Sequence, residues 1–386
     1  MQSPQRILVV EGWRFVPHSY AMVNQQQLLE FRRRGAIALY HRDLPYFAAS
    51  WRPTRHLFAP RDQDLLDAIP APPADLIADS LLRIASPLDL TPSTARRTFV
   101  FATSEYGAVP DNFMKGGRPL RSAHADSDVV IVTPSNWSKR GLLASGADPS
   151  RVAVVPHGVD TSIFHPVQSN ARAALRRALG WDWDGFTFLH VGAMTGNKGM
   201  DGILKCFAVV TARHPDARLV LKGTDALYPS QALLKHTIGV LNPTDRARVA
   251  ERLRYLGGTM SMEQVARLYQ AADAYVSPYR AEGFNLPVLE AIACGLPVIC
   301  TAGGPTDDFT DPAFTLRIQS RLVPPAGNMP SYLLPDGDHL LAAMQRVVVD
   351  PTLATRAREA GPAFVERGFT WGHVVDRLTE VIMNIN

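Results

Sequence analysis

The alternation of short aliphatic runs with helix-like segments constrains the fold of this 386-residue chain most strongly. Near the start, residues 6–10 ("RILVV") precede a loop, a helix-like stretch at 20–34, Gly35 and a second aliphatic run at 36–40. Strand, loop, helix, glycine and strand in this order form a βαβ unit, which is typical of a parallel sheet covered by helices. Further strands are predicted at residues 98–102, 128–133 and 151–155.

The same alternation begins again in the second half of the chain. Residues 165–180 are polar, basic and turn-rich, and we interpret them as a linker. After them, "FTFLHV" leads into a glycine-containing loop, a helix from about Asp201 and further strands. We therefore expect an α/β fold with two doubly wound parallel-sheet domains, in which ligands bind at the carboxyl ends of the strands. The predicted domains are residues 1–170, residues 181–368 and a terminal helix at 369–386 that packs back on the N-terminal domain.

Composition excludes several other classes of protein. Hydrophobic residues make up 46% of the chain and charged residues 20%, which is typical of globular domains. Cys206, Cys294 and Cys300 lie among aliphatic residues without paired spacing, so we expect neither a disulfide framework nor a zinc site. The apolar run at the start is too short for a signal peptide, and no run reaches the roughly 18 apolar residues of a membrane span. We expect a cytoplasmic protein.

Charge is distributed unevenly. Residues 1–180 hold 21 Lys and Arg against 15 Asp and Glu, whereas the remainder holds 19 against 21. A basic N-terminal domain suits an anionic acceptor or peripheral contact with the inner face of a membrane. The alternative is that the arginine run 32–34 only ends a surface helix, where cations suit the helix dipole. Nucleic acid is not an expected partner, because the arginine clusters lack interleaved aromatic residues.

Two glutamates flank a predicted helix start in "RAEGFNLPVLEAIACGLPVIC". Asn285 is predicted as the N-cap, Pro287 suits the first turn, and Gly295 ends the helix. The free N–H groups of the first turn form a site suited to phosphate. Glu290 lies in the second turn, and helical side chains lean towards the N-terminus, so Glu290 and Glu282 reach the same helix end.

Two carboxylates beside a phosphate site each need a partner of their own. A carboxylate accepts two hydrogen bonds from a diol, and a nucleotide sugar carries diols on both sides of its diphosphate. The alternative is that Glu282 is a solvated loop residue and Glu290 a surface helix residue. The pair within one segment favours the ligand-binding interpretation.

Four segments together resemble a known family. "AEGFNLPVLEAIACGLPVI" resembles the E-x7-E signature of the glycosyltransferase group 1 superfamily, a retaining family with the GT-B fold. "LHVGAMTGNKGMDGILKCF" is similar to its phosphate loop, "YLGGTMSMEQVARLYQAADAYVSPYRAEGF" to its nucleotide-side segment, and residues 134–166 to the end of its first domain. The resemblance implies two Rossmann-like domains that face a central cleft.

The resemblance also implies roles for residues of the second domain. Glu282 would hold hydroxyls of the donor sugar, and Glu290 would hold the ribose. Lys198 would neutralise the departing diphosphate, and Gly192 would allow the backbone of the same loop to come close to the phosphate. The diphosphate would also meet the N–H groups of four residues, Gly283, Phe284, Asn285 and Leu286.

The phosphate loop departs from the family at one position. The family carries an arginine beside the diphosphate two residues after the strand, and Ala193 stands at that position here. Arg280 is a candidate substitute.

The first domain offers further candidates. His18, Ser19 and Tyr20 occupy the place of a glycine-rich turn near the first helix, where relatives approach the donor, so they are expected to contact donor or acceptor. The alternative is a helix-capping Ser19 with a packed Tyr20. Glu105 follows a strand at its carboxyl end and is a candidate acceptor-side or catalytic group. His157 is expected to shape the junction of the domains or to contact ligand.

The expected reaction is transfer of a sugar from a nucleotide diphosphate sugar to a hydroxyl of a saccharide or lipid-linked acceptor, with retention and without a cofactor. We expect no metal ion, because the "DWD" sequence at Asp182 to Asp184 lies before a strand rather than at a strand's end. Polysaccharide or glycoconjugate synthesis is the family-level setting. Three alternatives stay open: a phosphorylase, a nucleotide-sugar epimerase, and a catalytically silent nucleotide-sugar-binding partner.

Overall fold

A computed structural model describes residues 5–327 and 329–383. The chain forms two compact units. Unit 1 comprises residues 1–158, 326–330 and 369–386, and unit 2 comprises residues 159–325 and 331–368. Residues 1–4 of the first predicted domain and 384–386 of the predicted terminal helix lie outside the described residues.

Unit 1 is built on a six-stranded parallel sheet with the strand order β2-β1-β3-β4-β5-β6. Its strands and their helices follow in chain order: β1 (Ile7–Gly12), α1 (Ser19–Arg34), β2 (Ala38–Asp43), α2 (Pro60–Asp67), β3 (Ser80–Ile84), β4 (Arg97–Phe101), α3 (Leu120–Ala125), β5 (Val130–Thr133), α4 (Asn136–Ala144) and β6 (Val152–Val154). The predicted βαβ unit at the start of the chain is confirmed.

Helix α1 ends where the sequence predicts. Gly35 adopts a left-handed φ of 64°, and its N–H donates to the carbonyl of Phe31 at 3.1 Å. Glycine tolerates this conformation without steric cost, and it closes the helix. Arg32, Arg33 and Arg34 lie in the last turn of α1, as the alternative for the arginine run predicted. Arg33 pairs with Asp62 and Arg34 with Glu30.

Unit 2 contains a second six-stranded parallel sheet, with the order β12-β11-β10-β7-β8-β9, and a two-stranded hairpin. Its elements are α5 (Ser169–Ala178), β7 (Thr187–Val191), α6 (Met200–Arg213), β8 (Arg218–Lys222), α7 (Ser230–Ile238), α8 (Pro243–Arg252), β9 (Leu253–Leu256), α9 (Met262–Ala271), β10 (Ala274–Ser277), α10 (Leu286–Ala293), β11 (Val298–Thr301), β12 (Thr315–Ile318), β13 (Ser320–Val323), β14 (Tyr332–Pro335), α11 (Gly337–Val349) and α12 (Pro351–Gly368). The predicted α/β class with two Rossmann-like parallel sheets is confirmed.

Strands β7 and β10 lie at the centre of the second sheet and are fully buried along most of their length. One face of the sheet packs against α6 and α11 through an aliphatic and aromatic core that includes Phe207, Leu221 and Met344. The burial of this core fixes where β7 and β10 end, and therefore where the loops that follow them begin.

Residues 165–180, which we interpret from the sequence as a linker, lie within unit 2. Residues 169–178 form helix α5, which packs against α9 within unit 2. Arg172 donates to a carboxylate oxygen of Asp273 at 2.6 Å and to the carbonyl of Ala272 at 2.9 Å. None of the residues of α5 is fully buried, and Leu175 is its one large apolar residue, so the sequence carries little hydrophobic signal for a helix.

The terminal helix α13 (Trp371–Met383) belongs to unit 1, where it packs against α1 and β3. Val374, Val375 and Leu378 are fully buried, and the hydroxyl of Ser80 donates to the carbonyl of Ile382 at 2.5 Å. A helix was predicted here from the spacing of the apolar residues, and residues 371–383 form one.

Candidate active site

Two loops of unit 2 lie side by side at the carboxyl ends of β7 and β10. The first joins β7 to α6 and the second joins β10 to α10. The N–H of Arg280 donates to the carbonyl of Asn197 at 2.7 Å, and the side-chain amide of Asn197 donates to the carbonyl of Ala281 at 3.2 Å. These bonds fix the position of each loop relative to the other, so residues that follow different strands meet.

Lys198 and Glu282 meet at this junction. The Lys198 Nζ atom lies 2.5 Å from Oε1 of Glu282, with the lysine side chain 20% exposed and the glutamate side chain 11% exposed. A charge-assisted hydrogen bond between partly buried groups holds both side chains in one geometry. The structure thus brings together two residues predicted to act in catalysis, although they are 84 positions apart in the chain.

Helix α10 begins four residues after Glu282, and Asn285 occupies its N-cap position as predicted, but the Asn285 side chain makes no capping hydrogen bond. Asn285 has a left-handed φ of 78°, and its buried amide donates to the hydroxyl of Ser277 at 3.0 Å instead of accepting from a helix N–H. The side chain therefore anchors the start of the helix to β10. Pro287 lies in the first turn and Gly295 follows the last turn with a φ of 75°, as predicted.

Glu290 lies in the second turn of α10 and is half-buried. Its Oε2 atom accepts a hydrogen bond from the Tyr269 hydroxyl at 2.8 Å. Burial raises the pKa of Glu290 to about 7, and the Tyr269 hydrogen bond opposes that shift. Near neutral pH this carboxyl group exchanges between the acid, which can donate a hydrogen bond, and the carboxylate, which only accepts.

Gly283, Phe284 and Leu286 complete the predicted set at the start of α10. Gly283 and Phe284 are buried, and the Phe284 ring stacks on Phe309 with the centroids 4.5 Å apart. This packing holds the backbone of the first turn, where the N–H groups of a helix have no acceptor within the helix. An anionic ligand is favoured at such a terminus.

Gly192 and Arg280 flank the pair formed by Lys198 and Glu282. The N–H of Gly192 donates to the carbonyl of Lys222 at 2.9 Å, which ties the start of the loop to β8. Arg280 donates to Asp201 at 2.8 Å and to the carbonyl of Gly196 at 3.3 Å. In this arrangement Arg280 braces the loop that carries Lys198, and its charge is already paired with a carboxylate.

The remaining predicted residues belong to unit 1. Tyr20 packs edge-on against Phe101 with the ring centroids 5.1 Å apart, and the ring of His157 lies 5.4 Å from Phe101. Burial raises the pKa of Tyr20 to about 12 and lowers the pKa of His157 to about 3. Both side chains are therefore neutral at physiological pH.

His18, Ser19 and Glu105 lie in the same region of unit 1. His18, and not Ser19, caps α1: its Nδ1 atom accepts from the N–H of Tyr20 at 3.2 Å. Ser19 is exposed, so the proposed serine cap is wrong. Glu105 is half-buried, and its carbonyl accepts from the indole N–H of Trp137. His18 and Ser19 follow β1 and Glu105 follows β4, so these candidates lie after the carboxyl ends of two strands of the first sheet.

One buried residue at the junction was missed by the sequence interpretation. His190 is the fourth residue of β7, two positions before Gly192, and only 1% of its surface is exposed. A histidine inside an otherwise aliphatic strand is the signal that could have identified it. Strand-end residues of a parallel sheet lie where ligands bind.

Metal sites and membrane-spanning helices were searched among the described residues. No group of three or more His, Cys, Asp or Glu side chains there is arranged to hold a metal ion. Asp182 and Asp184 are both exposed. Of the helices in the described ranges, none has the length and apolar character needed to cross a bilayer.

Comparison with known proteins gives a family match for part of the chain. Residues 171–322 match the family model described as "Glycosyl transferases group 1". A GDP-mannose-dependent monoacylated alpha-(1-6)-phosphatidylinositol monomannoside mannosyltransferase from Corynebacterium glutamicum is 26% identical over 78% of this chain and 74% of its own length. A D-inositol 3-phosphate glycosyltransferase from Mycolicibacterium paratuberculosis is 30% identical over 66% of this chain, but the match spans only 52% of that protein.

Solved structures agree in fold. HepE from Anabaena, crystallised with UDP and glucose, superposes with a TM-score of 0.71 over 99% of this chain and 100% of its own, at 15% identity. WaaG, a glycosyltransferase involved in lipopolysaccharide biosynthesis, gives a TM-score of 0.67 over 98% of this chain and 100% of its own, at 16% identity. Residues 171–322 thus match the glycosyltransferase group 1 family, the chain is similar to glycosyltransferases over most of its length, and its fold is GT-B.

Proposed function

We propose that this enzyme transfers a glycosyl group from a nucleotide diphosphate sugar to a hydroxyl of a saccharide or lipid-linked acceptor, with retention at the anomeric carbon. The observation that carries the proposal is the contact between Lys198 and Glu282 at the N-terminus of α10. A cation, a carboxylate and a helix N-terminus within one small region match the three chemical parts of such a donor: leaving phosphate, sugar hydroxyls and diphosphate.

Each side chain then has a distinct role. Glu282 accepts hydrogen bonds from hydroxyls of the donor sugar, and Glu290 accepts from the ribose. The N–H groups of Gly283, Phe284, Asn285 and Leu286 face the diphosphate. An ammonium group carries three N–H donors, so Lys198 can donate both to Glu282 and to an oxygen of the departing phosphate.

The reaction breaks the bond between the anomeric carbon and the β-phosphate oxygen and forms a bond from the acceptor oxygen on the same face of the sugar. The acceptor proton passes to an oxygen of the leaving diphosphate. Lys198 and the start of α10 stabilise the charge that develops on the diphosphate, which is a major contribution to catalysis in such reactions. Because these groups supply positive charge directly, we propose that the reaction needs no metal ion.

The acceptor side is assigned to unit 1 in this proposal. Glu105 orients the attacking hydroxyl in this proposal, and His18, Ser19, Tyr20 and His157 are further candidates for contact with the acceptor. The basic N-terminal half of the sequence suits an anionic acceptor or contact with the inner face of a membrane. The mannosyltransferase relative is named for a phosphatidylinositol-linked acceptor, which makes lipid-linked saccharides the first acceptors to test.

A donor panel tests the proposal. Purified enzyme is incubated with UDP-glucose, GDP-mannose and other nucleotide sugars, with and without an extract of saccharide and lipid-linked acceptors, and free nucleoside diphosphate is measured. We expect release from one donor, raised by the extract and lost in Glu282→Ala. The anomeric configuration of the product, read by NMR, tests retention, and chelator treatment tests metal independence.

The second candidate function is a catalytically silent nucleotide-sugar-binding partner. Two observations favour it: Ala193 stands where the family carries an arginine, and the candidate substitute Arg280 is paired with Asp201. Tight nucleotide-sugar binding without release from any donor would support this candidate and contradict the transferase. Release that requires inorganic phosphate would indicate a phosphorylase, and interconversion of the donor sugar would indicate an epimerase.

A further inference from the structure

His190 has one ring nitrogen anchored and the other without a partner. Its Nδ1 atom lies 2.8 Å from the carbonyl oxygen of Val276. A carbonyl oxygen only accepts hydrogen bonds, so Nδ1 carries the proton and donates. The Nε2 atom is then an acceptor, and it is buried without a hydrogen-bond partner among the described residues. Buried polar atoms are nearly always paired in folded proteins, so this exception calls for an explanation.

The ring cannot satisfy Nε2 by turning away. It lies parallel to Tyr275, with an interplanar angle of 9° and centroids 6.2 Å apart, and the Nδ1 bond joins the end of β7 to the end of β10. Burial lowers the pKa of His190 to about 4, with the charge of Lys198 acting in the same direction. At neutral pH the ring is therefore uncharged and keeps the acceptor lone pair on Nε2.

The position of Nε2 places it in the candidate active site. A Cβ on Gly192 would lie 3.5 Å from this nitrogen, so the atom faces the side of Gly192 where any other residue would carry a side chain. The loop that begins at Gly192 carries Lys198, and the loop that follows β10 carries Glu282. His190 lies at the base of both loops.

We infer that Nε2 of His190 accepts a hydrogen bond from a hydroxyl of the glycosyl group that is transferred. A phosphate oxygen carries no proton to donate at neutral pH beside Lys198, whereas a sugar hydroxyl donates readily. The inference rests on the proposed function and extends it: His190 would read a sugar hydroxyl that Glu282 does not hold. Gly192 is required because a side chain there would stand between the ring and the sugar.

Two substitutions separate the hydrogen bond that Nδ1 donates to Val276 from the hydrogen bond that Nε2 accepts in this proposal. The amide of His190→Asn can replace the Nδ1 donor towards Val276 but provides nothing at the position of Nε2. The amide oxygen of His190→Gln reaches the position of Nε2, but this variant loses the hydrogen bond to the carbonyl of Val276. Binding of the nucleoside diphosphate and of the matching nucleotide sugar is measured by calorimetry for the wild type and both variants, with thermal unfolding as a check on folding.

We expect His190→Asn to bind the nucleoside diphosphate as the wild type does and to bind the nucleotide sugar about 3- to 10-fold more weakly, the value of one neutral hydrogen bond. A series of deoxy-sugar donors identifies the hydroxyl, because one of them should bind the wild type and His190→Asn equally. Retention of sugar affinity by His190→Gln would add support.

The inference is overturned if the wild type and His190→Asn bind the nucleotide sugar with equal affinity. It is also overturned if His190→Asn loses as much affinity for the nucleoside diphosphate as for the nucleotide sugar. The two proposals fail separately. If the wild type binds a nucleotide sugar but transfers nothing, the transferase fails while the role of His190 is still decided by the calorimetry. A wild type that binds no nucleotide sugar overturns both.

Discussion

At the scale of single residues, the contact between Lys198 and Glu282 decides what the site can do. Removing one member of a buried ion pair leaves the other charge desolvated and uncompensated, which costs more than the pair itself contributes. Each side chain is therefore held in position by the other, and each compensates the other's charge in a site that is partly removed from water. The sequence resemblance implied roles for both residues, but only the fold shows that they contact each other.

A double-mutant cycle tests this dependence. Lys198→Met and Glu282→Gln should each lower the free energy of unfolding by about 1–3 kcal/mol, whereas the double variant should lose less than the sum. Urea unfolding of all four proteins measures the coupling. Additive losses would contradict a stabilising contact. Glu282→Gln should also lower kcat/KM about 10- to 150-fold, the value of one hydrogen bond to a charged group.

Glu290 predicts a pH dependence of stability. Its pKa in the folded protein, about 7, lies above the ordinary value of 4.5, so the folded protein keeps a proton that the unfolded chain loses between these values. The stabilisation from this proton is complete below about pH 4.5 and is lost as the pH rises through 7. Melting temperatures of the wild type and Glu290→Gln between pH 5 and 8 should therefore converge at low pH and separate at high pH, with the wild type falling more steeply. Parallel curves would contradict the raised pKa.

At the scale of elements, two glycines of the loop between β7 and α6 differ in what they permit. Gly199 has a left-handed φ of 72°, and a Cβ there would lie 2.0 Å from the carbonyl oxygen of Pro278. Gly196 is exposed, and a Cβ there would meet nothing within 4 Å. The close approach of Gly199 to the loop after β10 is what holds Lys198 within reach of Glu282.

Alanine at these two positions gives a matched comparison. Gly199→Ala should lower the free energy of unfolding by about 2–4 kcal/mol, because it adds left-handed strain and a clash with backbone. It should also reduce turnover by displacing Lys198. Gly196→Ala should change stability by less than about 1 kcal/mol and serves as the control. Similar values for both variants, measured by chemical unfolding, would contradict the close packing of the two loops.

Three strands that the sequence did not predict share one feature. Strands β3, β9 and β12 each contain an arginine away from the strand ends, at Arg83, Arg254 and Arg317. Arg83 donates to the buried carboxylate of Glu11 at 2.9 Å, a partner 72 positions away. Distant pairing of this kind makes a charged residue acceptable in a buried strand, and it leaves no signal in the local sequence.

The same limit applies to the candidate site. Spacing and glycine positions indicated the start of α10, the loop with Lys198 and the pair of glutamates. The hydrogen-bond partner of the Asn285 side chain was predicted wrongly, because that partner, the Ser277 hydroxyl on β10, is a tertiary contact. His190 was missed for a similar reason: its anchor is a carbonyl of a strand 86 positions later.

At the scale of the whole molecule, helix α13 is part of the core of unit 1. Leu378 is fully buried, whereas Arg377 beside it is exposed. Leu378→Ala should lower the stability of unit 1 by about 2–5 kcal/mol, the cost of a cavity in a packed core, and Arg377→Ala should leave it unchanged. Hydrogen exchange resolved along the chain should show the loss of protection in α1 and β3 and little change in the sheet of unit 2. Equal loss in both units would contradict the assignment of α13 to unit 1.

The membership of α13 in unit 1 also sets an order of events during synthesis. All strands of the first sheet leave the ribosome before unit 2 does, yet the helix that covers β3 follows only after residue 368. Unit 2 has its own complete sheet and core by then. Unit 1, whose strands are made first, is therefore completed only after unit 2, and its uncovered apolar surface must be kept from aggregation until α13 has been made.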